Sequence, residues 1–164
     1  MIGYLSAQDL HDEEAKVMQN YHQMSLKLLA NVFATPKGRA SMTDEEKARS
    51  LIEFCNKSFT SCNHKVAFHA ALVLFNYLLA FETVNKRGVL PLLQHSVEAI
   101  NNVLANAALE DKDTLVALLL CLCRLLFKNH ELTVWVEDQY LETAMQQTMN
   151  GLKARAASLA PEVN

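Results

Sequence analysis

Apolar residues recur along this chain at steps of three and four, which is the spacing of one face of an α-helix. One such stripe consists of Met18, Tyr21, Met24, Leu28 and Val32. Two later stripes consist of Ala48, Leu51, Ile52 and Cys55, and of Leu92, Leu93, Ser96, Val97, Ile100, Val103 and Leu104. No stretch sustains the apolar–polar alternation that is typical of a β-strand. The pattern therefore predicts an all-α protein.

The most apolar stretch of the chain runs from Asn63 to Glu82. Within it, only His69, Asn76 and the hydroxyl of Tyr77 interrupt the apolar run from Val66 to Phe81. A helix that is apolar on all sides is normally buried on all sides. The run is also shorter than the roughly 20 apolar residues that cross a bilayer. We expect this stretch to be the central helix of the core.

The chain repeats the order helix, short polar link, helix, with spacings near those of armadillo or HEAT units. In such a solenoid each helix pair packs on the next, so the inner helices become apolar all round. The central helix and the Leu115–Phe127 helix both have that character. We predict an armadillo/HEAT-like α-solenoid of about three to four helical repeats. A compact bundle, which normally leaves each helix one polar face, is the alternative.

Cap and turn signals divide the helices. Asn63 is placed to cap the central helix, and Thr43-Asp44-Glu45-Glu46 has the form of a capping box. Thr35-Pro36-Lys37-Gly38 ends the first strong helix. Pro91 fits the first turn of a later helix, where its missing N–H costs little, and Asn150-Gly151 is a C-cap signal.

These boundaries predict three parts of the chain. An acidic segment covers residues 1–17, the domain itself covers residues 18–150, and a frayed tail covers residues 151–164. The length of 164 residues fits a single domain.

Composition and charge exclude several classes of protein. A content of 51% hydrophobic residues, with few Gly and Pro, argues against disorder. The net charge of −3 offers no basic surface for nucleic acid and little attraction to an anionic membrane. The start of the chain lacks the features of a signal peptide. We expect no nucleic-acid or membrane partner.

The four cysteines, Cys55, Cys62, Cys121 and Cys123, form no C-x-x-C pair. Cys121 and Cys123 lie in an apolar run, where a thiol behaves as a small hydrophobe. Reduced thiols are therefore favoured over a disulfide or metal site, which indicates a reducing compartment.

No constellation of catalytic residues is recognisable. The six histidines are scattered, and His64 and His69 are five apart, whereas a helical zinc pair is spaced by four. His69 alone on an apolar helix is expected to be a hydrogen-bonded core residue. The chain has no P-loop, nucleophile elbow or dinucleotide fingerprint. We predict no enzymatic activity, no cofactor and no metal.

Polar residues inside the apolar helices are the candidate site. Lys27 and Asn31 are four apart and share a helix face, Asn76 lies on the central helix, and Arg124 lies on the second apolar helix. A buried amide must find partners. Asn31 and Asn76 therefore either hydrogen-bond to backbone between helices or face a groove, where they could clamp the backbone of an extended peptide.

Two stretches resemble a known family. Met24-Ser25-Leu26-Lys27-Leu28-Leu29-Ala30-Asn31-Val32-Phe33 is similar to the L-A-L-R-x-x-x-N-x-F motif of the PUL domain, which ends the phospholipase-A-activating protein family and occurs in some thioredoxin-like and deSUMOylase-like proteins. Val66 to Phe81, with Asn76-Tyr77, resembles the family's A-L-A-T-L-x-L-N-Y-S-x-x-F pattern. Leu115-Val116-Ala117-Leu118 resembles its L-x-V-A-L-G-T-L stretch. The resemblance extends from about Met18 to Tyr140 in register.

This resemblance implies an armadillo-like solenoid that binds the C-terminal tail of valosin-containing protein, the hexameric AAA ATPase that extracts ubiquitylated proteins. The family binds that tail in a basic groove on its concave side. Lys27 stands where the family motif has Arg, which keeps the charge but loses the bidentate fork. Asp113 stands where a second basic residue is expected. The expected peptide-binding residues are Lys27, Asn31, Asn76 and Arg124.

The resemblance therefore predicts a non-enzymatic, cytoplasmic or nuclear adaptor of the ubiquitin–proteasome pathway. Two alternatives remain open. One is a generic armadillo or HEAT scaffold with another partner. The other is a dimerisation domain whose uncapped end pairs weakly with itself, because the ends of a solenoid need polar caps.

Overall fold

The computed structural model describes residues 7–41, 44–61, 63–80, 86–106, 111–127, 129–139 and 141–158. Within these ranges the chain forms eight α-helices and no strand, which confirms the predicted all-α class. The helices are α1 (Ala7–Ala34), α2 (Pro36–Ala40), α3 (Glu45–Phe59), α4 (His64–Leu78), α5 (Lys86–Asn106), α6 (Lys112–Leu126), α7 (His130–Asp138) and α8 (Leu141–Ser158).

The long helices form two layers. In the first layer α4 lies between α1 and α6, and in the second α5 lies between α3 and α8. Contacts of α3 with α4 and of α5 with α6 join the two layers, and α7 packs against α5, α6 and α8. Successive helix pairs therefore stack on one another, as in an armadillo-like α-solenoid.

Equivalent helices of the first layer point in the same direction. Near the N-terminal ends of α4 and α6, Oγ1 of Thr114 lies 3.4 Å from the carbonyl oxygen of His64. Near their C-terminal ends, Nη2 of Arg124 donates to the carbonyl oxygen of Leu78 at 2.9 Å. The same ends of these helices therefore lie side by side, so side chains in equivalent turns share one surface.

The core lies between the layers and is formed by residues from every long helix. Its largest fully buried side chains include Leu26, Phe33, Ile52, Phe59, Leu74, Tyr77, Leu93, Ile100, Leu118 and Leu125. The predicted inner face of α3, with Ala48, Leu51, Ile52 and Cys55, is confirmed as buried.

The second layer contains a buried polar network that the sequence patterns did not predict. Nδ2 of Asn56 on α3 donates to the carbonyl oxygen of Leu92 on α5 at 2.9 Å. Oγ of Ser96 lies 2.6 Å from Oδ1 of the same asparagine and 2.9 Å from the same carbonyl oxygen. Asn56 is 4% exposed and Ser96 is fully buried. Each buried polar group thus has a partner, as burial requires.

Side-chain caps begin the helices close to where the sequence predicts. Oδ1 of Asn63 accepts from the first-turn amides of α4 at 2.9 and 3.3 Å, which confirms that cap. The capping box before α3 differs from its prediction by one residue. Asp44 accepts from the amides of Glu46 and Lys47, whereas Thr43 lies outside the described residues.

The predicted position of Pro91 in the first turn of α5 is wrong. Helix α5 begins at Lys86, and Pro91 lies inside the helix. The extra turn is held by packing on α3. Val89 is fully buried, and Nη2 of Arg49 donates to the carbonyl oxygen of Gly88 at 2.8 Å.

The predicted helix end at Asn150-Gly151 is wrong, because α8 continues to Ser158. Leu152 is buried, and Nη2 of Arg155 donates to the carbonyl oxygen of Ala105 at 3.4 Å, so tertiary contacts with α5 extend the helix past the glycine. At the other end, α1 runs without a break across the predicted boundary at residue 17. Residues 159–164 of the predicted frayed tail lie outside the described ranges.

Candidate functional site

The four predicted site residues all lie in the first helix layer. Lys27 and Asn31 are exposed on α1, whereas Asn76 on α4 and Arg124 on α6 are partly buried. Within the described residues no carboxylate forms an ion pair with Lys27.

Asn76 and Arg124 tie the layer together. Nδ2 of Asn76 donates to the carbonyl oxygen of Ala30 at 3.1 Å, which joins α4 to α1. Nε and Nη2 of Arg124 both donate to the carbonyl oxygen of Leu78, at 3.2 and 2.9 Å, which joins α6 to α4. The guanidinium also lies over the ring of Phe127, 5.8 Å from its centroid. Asn76 therefore has the inter-helix role, although its partial exposure leaves it at the surface.

The prediction that α4 and the Leu115–Phe127 helix are buried on all sides is wrong. Among the described helices, α4 has neighbours on three sides, namely α1, α3 and α6. Its fourth side carries Phe68, Leu72 and Phe75, which are only partly buried. A matching row on α6 is exposed and consists of Val116, Leu120, Cys123 and Phe127.

We call this surface the open face. It consists of Gln23 and Lys27 of α1, Phe68, His69, Leu72, Phe75 and Asn76 of α4, and Asp113, Val116, Leu120, Cys123, Arg124 and Phe127 of α6. An apolar floor with polar groups at its edges is the usual composition of a ligand-binding surface.

A cavity of about 410 Å³ elsewhere lies between α4 and α5, but the one on the open face is larger, at about 610 Å³. It spans all three helices of the first layer and is lined by Gln23, Lys65, Phe68, His69, Asp111, Asp113 and Thr114. Lys27 lies one helical turn beyond Gln23, and Asn76 lies two turns beyond His69. Lys27 and Asn76 thus border the same surface, on its C-terminal side, while Asn31 turns toward the outer edge of α1.

Charge is distributed unevenly along the open face. Asp113 lies in the first turn of α6 and Arg124 in its last turn, which separates them by about 16 Å along the helix axis. Asp111 is the N-cap of α6, and its carboxylate accepts hydrogen bonds from the amide and hydroxyl of Thr114 at 3.2 and 2.7 Å. The acidic groups are therefore confined to one end of the face, where Lys65 also lines the cavity, and Lys27 and Arg124 lie toward the other end.

Within the described residues, no cluster of His, Cys, Asp and Glu could hold a metal ion. Burial raises the pKa of the Cys55 thiol to about 12 and raises that of Cys121 well above its usual range. Both thiols therefore stay protonated near neutral pH and are poor nucleophiles. Among the described helices, none is long and apolar enough to cross a membrane.

The first apolar stripe that the sequence marks lies outside the core. Its residues Tyr21, Met24 and Leu28 are 63%, 67% and 64% exposed. We call Val17, Tyr21, Met24, Leu28 and Val32 the α1 stripe. The side of α1 that packs on the protein is the opposite one, with Leu26, Ala30 and Phe33. Helical spacing identifies both stripes, but it does not tell which of them has a partner.

The polar side of α1 that meets α3 also escaped prediction. The ring of His22 stacks on that of Phe54 with centroids 4.8 Å apart, and its Nε2 lies 2.8 Å from Oγ of Ser58. A signal for Asn56 and Ser96 was present, since Asn56 follows Ile52 by four residues on the apolar face of its helix and Ser96 lies within the apolar stripe of α5.

Comparisons with known proteins identify one family. A protein-family model described as the PUL domain matches residues 1–162 of the chain. Searches of curated proteins and of solved structures each returned no match.

Proposed function

The chain belongs to the PUL domain family, and from this premise we propose that its open face binds the C-terminal tail of the valosin-containing AAA ATPase. PUL domains are protein-interaction modules, and we propose that this one acts by binding alone, without catalysis. It would then serve as an adaptor in ubiquitin-dependent protein turnover, in the cytoplasm or nucleus.

An extended acidic peptide fits the distribution of groups on the open face. The partly exposed Phe68, Leu72 and Phe75 supply an apolar floor for its side chains. Lys27 is exposed and supplies a cation for a terminal or side-chain carboxylate. Asn76 keeps its Oδ1 for a peptide N–H, since its Nδ2 is already committed to Ala30.

One observation supports the proposal most: Lys27, Asn76 and Arg124 come from three different helices of the first layer, next to the partly exposed apolar side of α4 that carries Phe68, Leu72 and Phe75. We expect Arg124 to attract an acidic ligand by its charge and not by a bidentate hydrogen bond, because two of its N–H groups already bind the carbonyl oxygen of Leu78. Lys27 is therefore the electrostatic anchor that we expect to matter most.

Titration calorimetry with a peptide of the ATPase's C-terminal tail tests the proposal. The parent protein is expected to bind at low salt, and Lys27→Ala is expected to weaken binding about fivefold and to reduce its salt sensitivity. Lys27→Arg should retain or improve the affinity, because a guanidinium can hold a carboxylate with two hydrogen bonds.

Lys57→Ala is the matched control, since Lys57 is exposed on α3 in the other layer. It should leave the affinity unchanged. Equal affinities of Lys27→Ala and the parent at low salt would contradict an anchor at this position, and absence of binding by the parent would contradict the proposed partner.

The alternative is a generic scaffold that binds a different partner through the same open face. Absence of binding between the parent and the ATPase tail peptide would favour it. Capture of another acidic peptide by the parent, with the same dependence on Lys27, would support it.

A further inference from the structure

The α1 stripe is an apolar surface that the open face does not use. It lies on the side of α1 opposite Leu26, Ala30 and Phe33, the residues that pack on the protein. It therefore faces away from α4, at the end of the stack that the described helices form. Terminal helices of a solenoid normally have a polar outer side, so α1 has the composition of an inner helix in an outer position.

The stripe is large enough to be an interface. Its five residues and the adjacent Met18 are between 40% and 68% exposed. Together they present on the order of 600 Å² of mainly apolar surface, at the upper limit for the largest patch of a typical monomer. A stable interface buries about 800 Å² on each partner, which the stripe and its polar edges together approach.

We propose that the α1 stripe pairs with the α1 stripe of a second copy of this chain, with the two helices antiparallel around a two-fold axis. The spacing of the stripe is nearly the same when read in either direction: steps of four, three, four and four from Val17 to Val32. A two-fold axis close to Met24 then places Val17 against Val32 of the other copy, and Tyr21 against Leu28. Such self-complementarity is what an isologous interface requires.

The charged edge of the stripe is compatible with this pairing. Lys16, Asn20, Lys27 and Asn31 lie along one edge and are all exposed. In an antiparallel pair, residues of the same edge meet one another around the axis. Lys27 then lies near Asn20 of the other copy, and Lys16 near its Asn31. No lysine faces another lysine, so the pair forms without like-charge repulsion.

The pairing has a consequence that rests on the proposed function. Lys27 belongs both to this edge and to the open face, so the two open faces point to the same side of the dimer. A dimer would present two tail-binding surfaces to one hexameric partner, and linked sites bind more tightly than single ones.

Sedimentation velocity over a wide range of protein concentration tests the pairing without any peptide, so it is independent of the proposed function. The parent is expected to shift from monomer to dimer as concentration rises. Tyr21→Glu and Leu28→Glu should each weaken the dimer at least tenfold, because they place a charge in the apolar interface. Leu120→Glu, at an apolar position on α6 that is also exposed (51%), is the matched control and should dimerise as the parent does.

Cross-linking tests the register. In a Cys62→Ser, Cys123→Ser background, Met24→Cys should cross-link to itself, and Val17→Cys should cross-link to Val32→Cys when the two variants are mixed. Val17→Cys alone should remain monomeric on a denaturing gel.

Three results would overturn the proposal: a parent that stays monomeric at every concentration, a dimer insensitive to charge in the stripe, or efficient cross-linking of Val17→Cys to itself, which indicates parallel helices. Far-UV spectra identify any variant that fails to fold. Met24→Lys provides a further charged substitution at an exposed position if either glutamate variant does.

Discussion

The two helix layers use the same type of residue in different ways. In the second layer, Asn56 and Ser96 are buried and satisfy each other and one carbonyl oxygen between α3 and α5. In the first layer, Asn76 makes a similar amide-to-carbonyl bond between α4 and α1, but it remains partly exposed beside an apolar surface. An asparagine in an apolar helix can thus join helices inside the core or at a partly exposed surface, where we propose that Asn76 also contacts the ligand.

The two cases differ in whether neighbouring helices bury the polar group completely. A polar group that is buried in the second layer has only protein partners, so its removal deprives a neighbouring buried group of a partner. A polar group on the open face can exchange a lost partner for water, so its removal costs less stability and can cost affinity instead. Substitutions matched between the layers therefore distinguish their roles.

The largest expected effect is on the buried thiols at the junction of the layers. Cys55 on α3 and Cys121 on α6 have raised pKa values because of burial. Since an unfolded thiol ionises near pH 9, the folded protein holds more protons above that pH, and its stability falls as pH rises from about 9 toward the folded pKa of about 12 for Cys55. We expect a loss of roughly 2–3 kcal/mol for the two thiols together between pH 8 and 10.

Urea unfolding at a series of pH values measures this loss. Cys55→Ala/Cys121→Ala is the control and should show a much flatter dependence. Similar slopes for the parent and the double variant would contradict the assignment. The exposed Cys123, two residues from Cys121, should react with iodoacetamide in the native protein while Cys55 and Cys121 do not.

The next largest effect is expected for Asn56→Leu. It removes one donor to the carbonyl oxygen of Leu92 and takes away the amide acceptor of the buried Ser96 hydroxyl, which keeps only that carbonyl oxygen as a partner. We expect a loss of about 2 kcal/mol in the free energy of unfolding, measured with urea. Asn102→Leu, at an exposed position on α5, is the control. A loss no larger than that of the control would show that the network contributes nothing.

Asn76→Leu is the matched change on the open face and should cost about 1 kcal/mol, because the bond that it removes is only partly buried. Affinity for the tail peptide should fall in the same variant if Asn76 also contacts the ligand. A variant neutral in both stability and affinity would remove Asn76 from the site.

The smallest effect is expected for Asp113→Arg. Asp113 is exposed near the acidic end of the open face, so its reversal should leave stability within about 0.5 kcal/mol of the parent. It should raise affinity for the acidic tail about twofold to threefold at low salt, and less at high salt. Calorimetry at two ionic strengths measures the change, and a weaker complex would show that the acidic end helps to bind the ligand.

Helix positions, the cap at Asn63 and the burial of the α3 inner face could be predicted from sequence, because they depend on local spacing and local hydrogen bonds. Sequence could not predict which apolar face of a helix is buried by a neighbouring helix. α1 has apolar residues on opposite sides, and only the position of α4 decides that Leu26 is buried while Leu28 is exposed. The length of α8 likewise depends on contacts of Leu152 and Arg155 with distant residues.

The same limit applies to the candidate site. The sequence identified Lys27, Asn76 and Arg124 as polar residues in apolar surroundings, and the structure places them around one surface. It did not reveal that Arg124 donates twice to Leu78, since that bond joins residues 46 positions apart.

Peptide binding to one layer and not the other is the central claim, and an NMR titration tests it most directly. Amide resonances of the labelled protein would be followed while the ATPase's C-terminal tail peptide is added. We predict shifts along Gln23–Asn31, Phe68–Leu79 and Val116–Phe127, including the side-chain amide of Asn76, with little change along α3 and α8. Shifts that cluster on the α3/α5/α8 layer, or that are absent at saturating peptide, would contradict the claim.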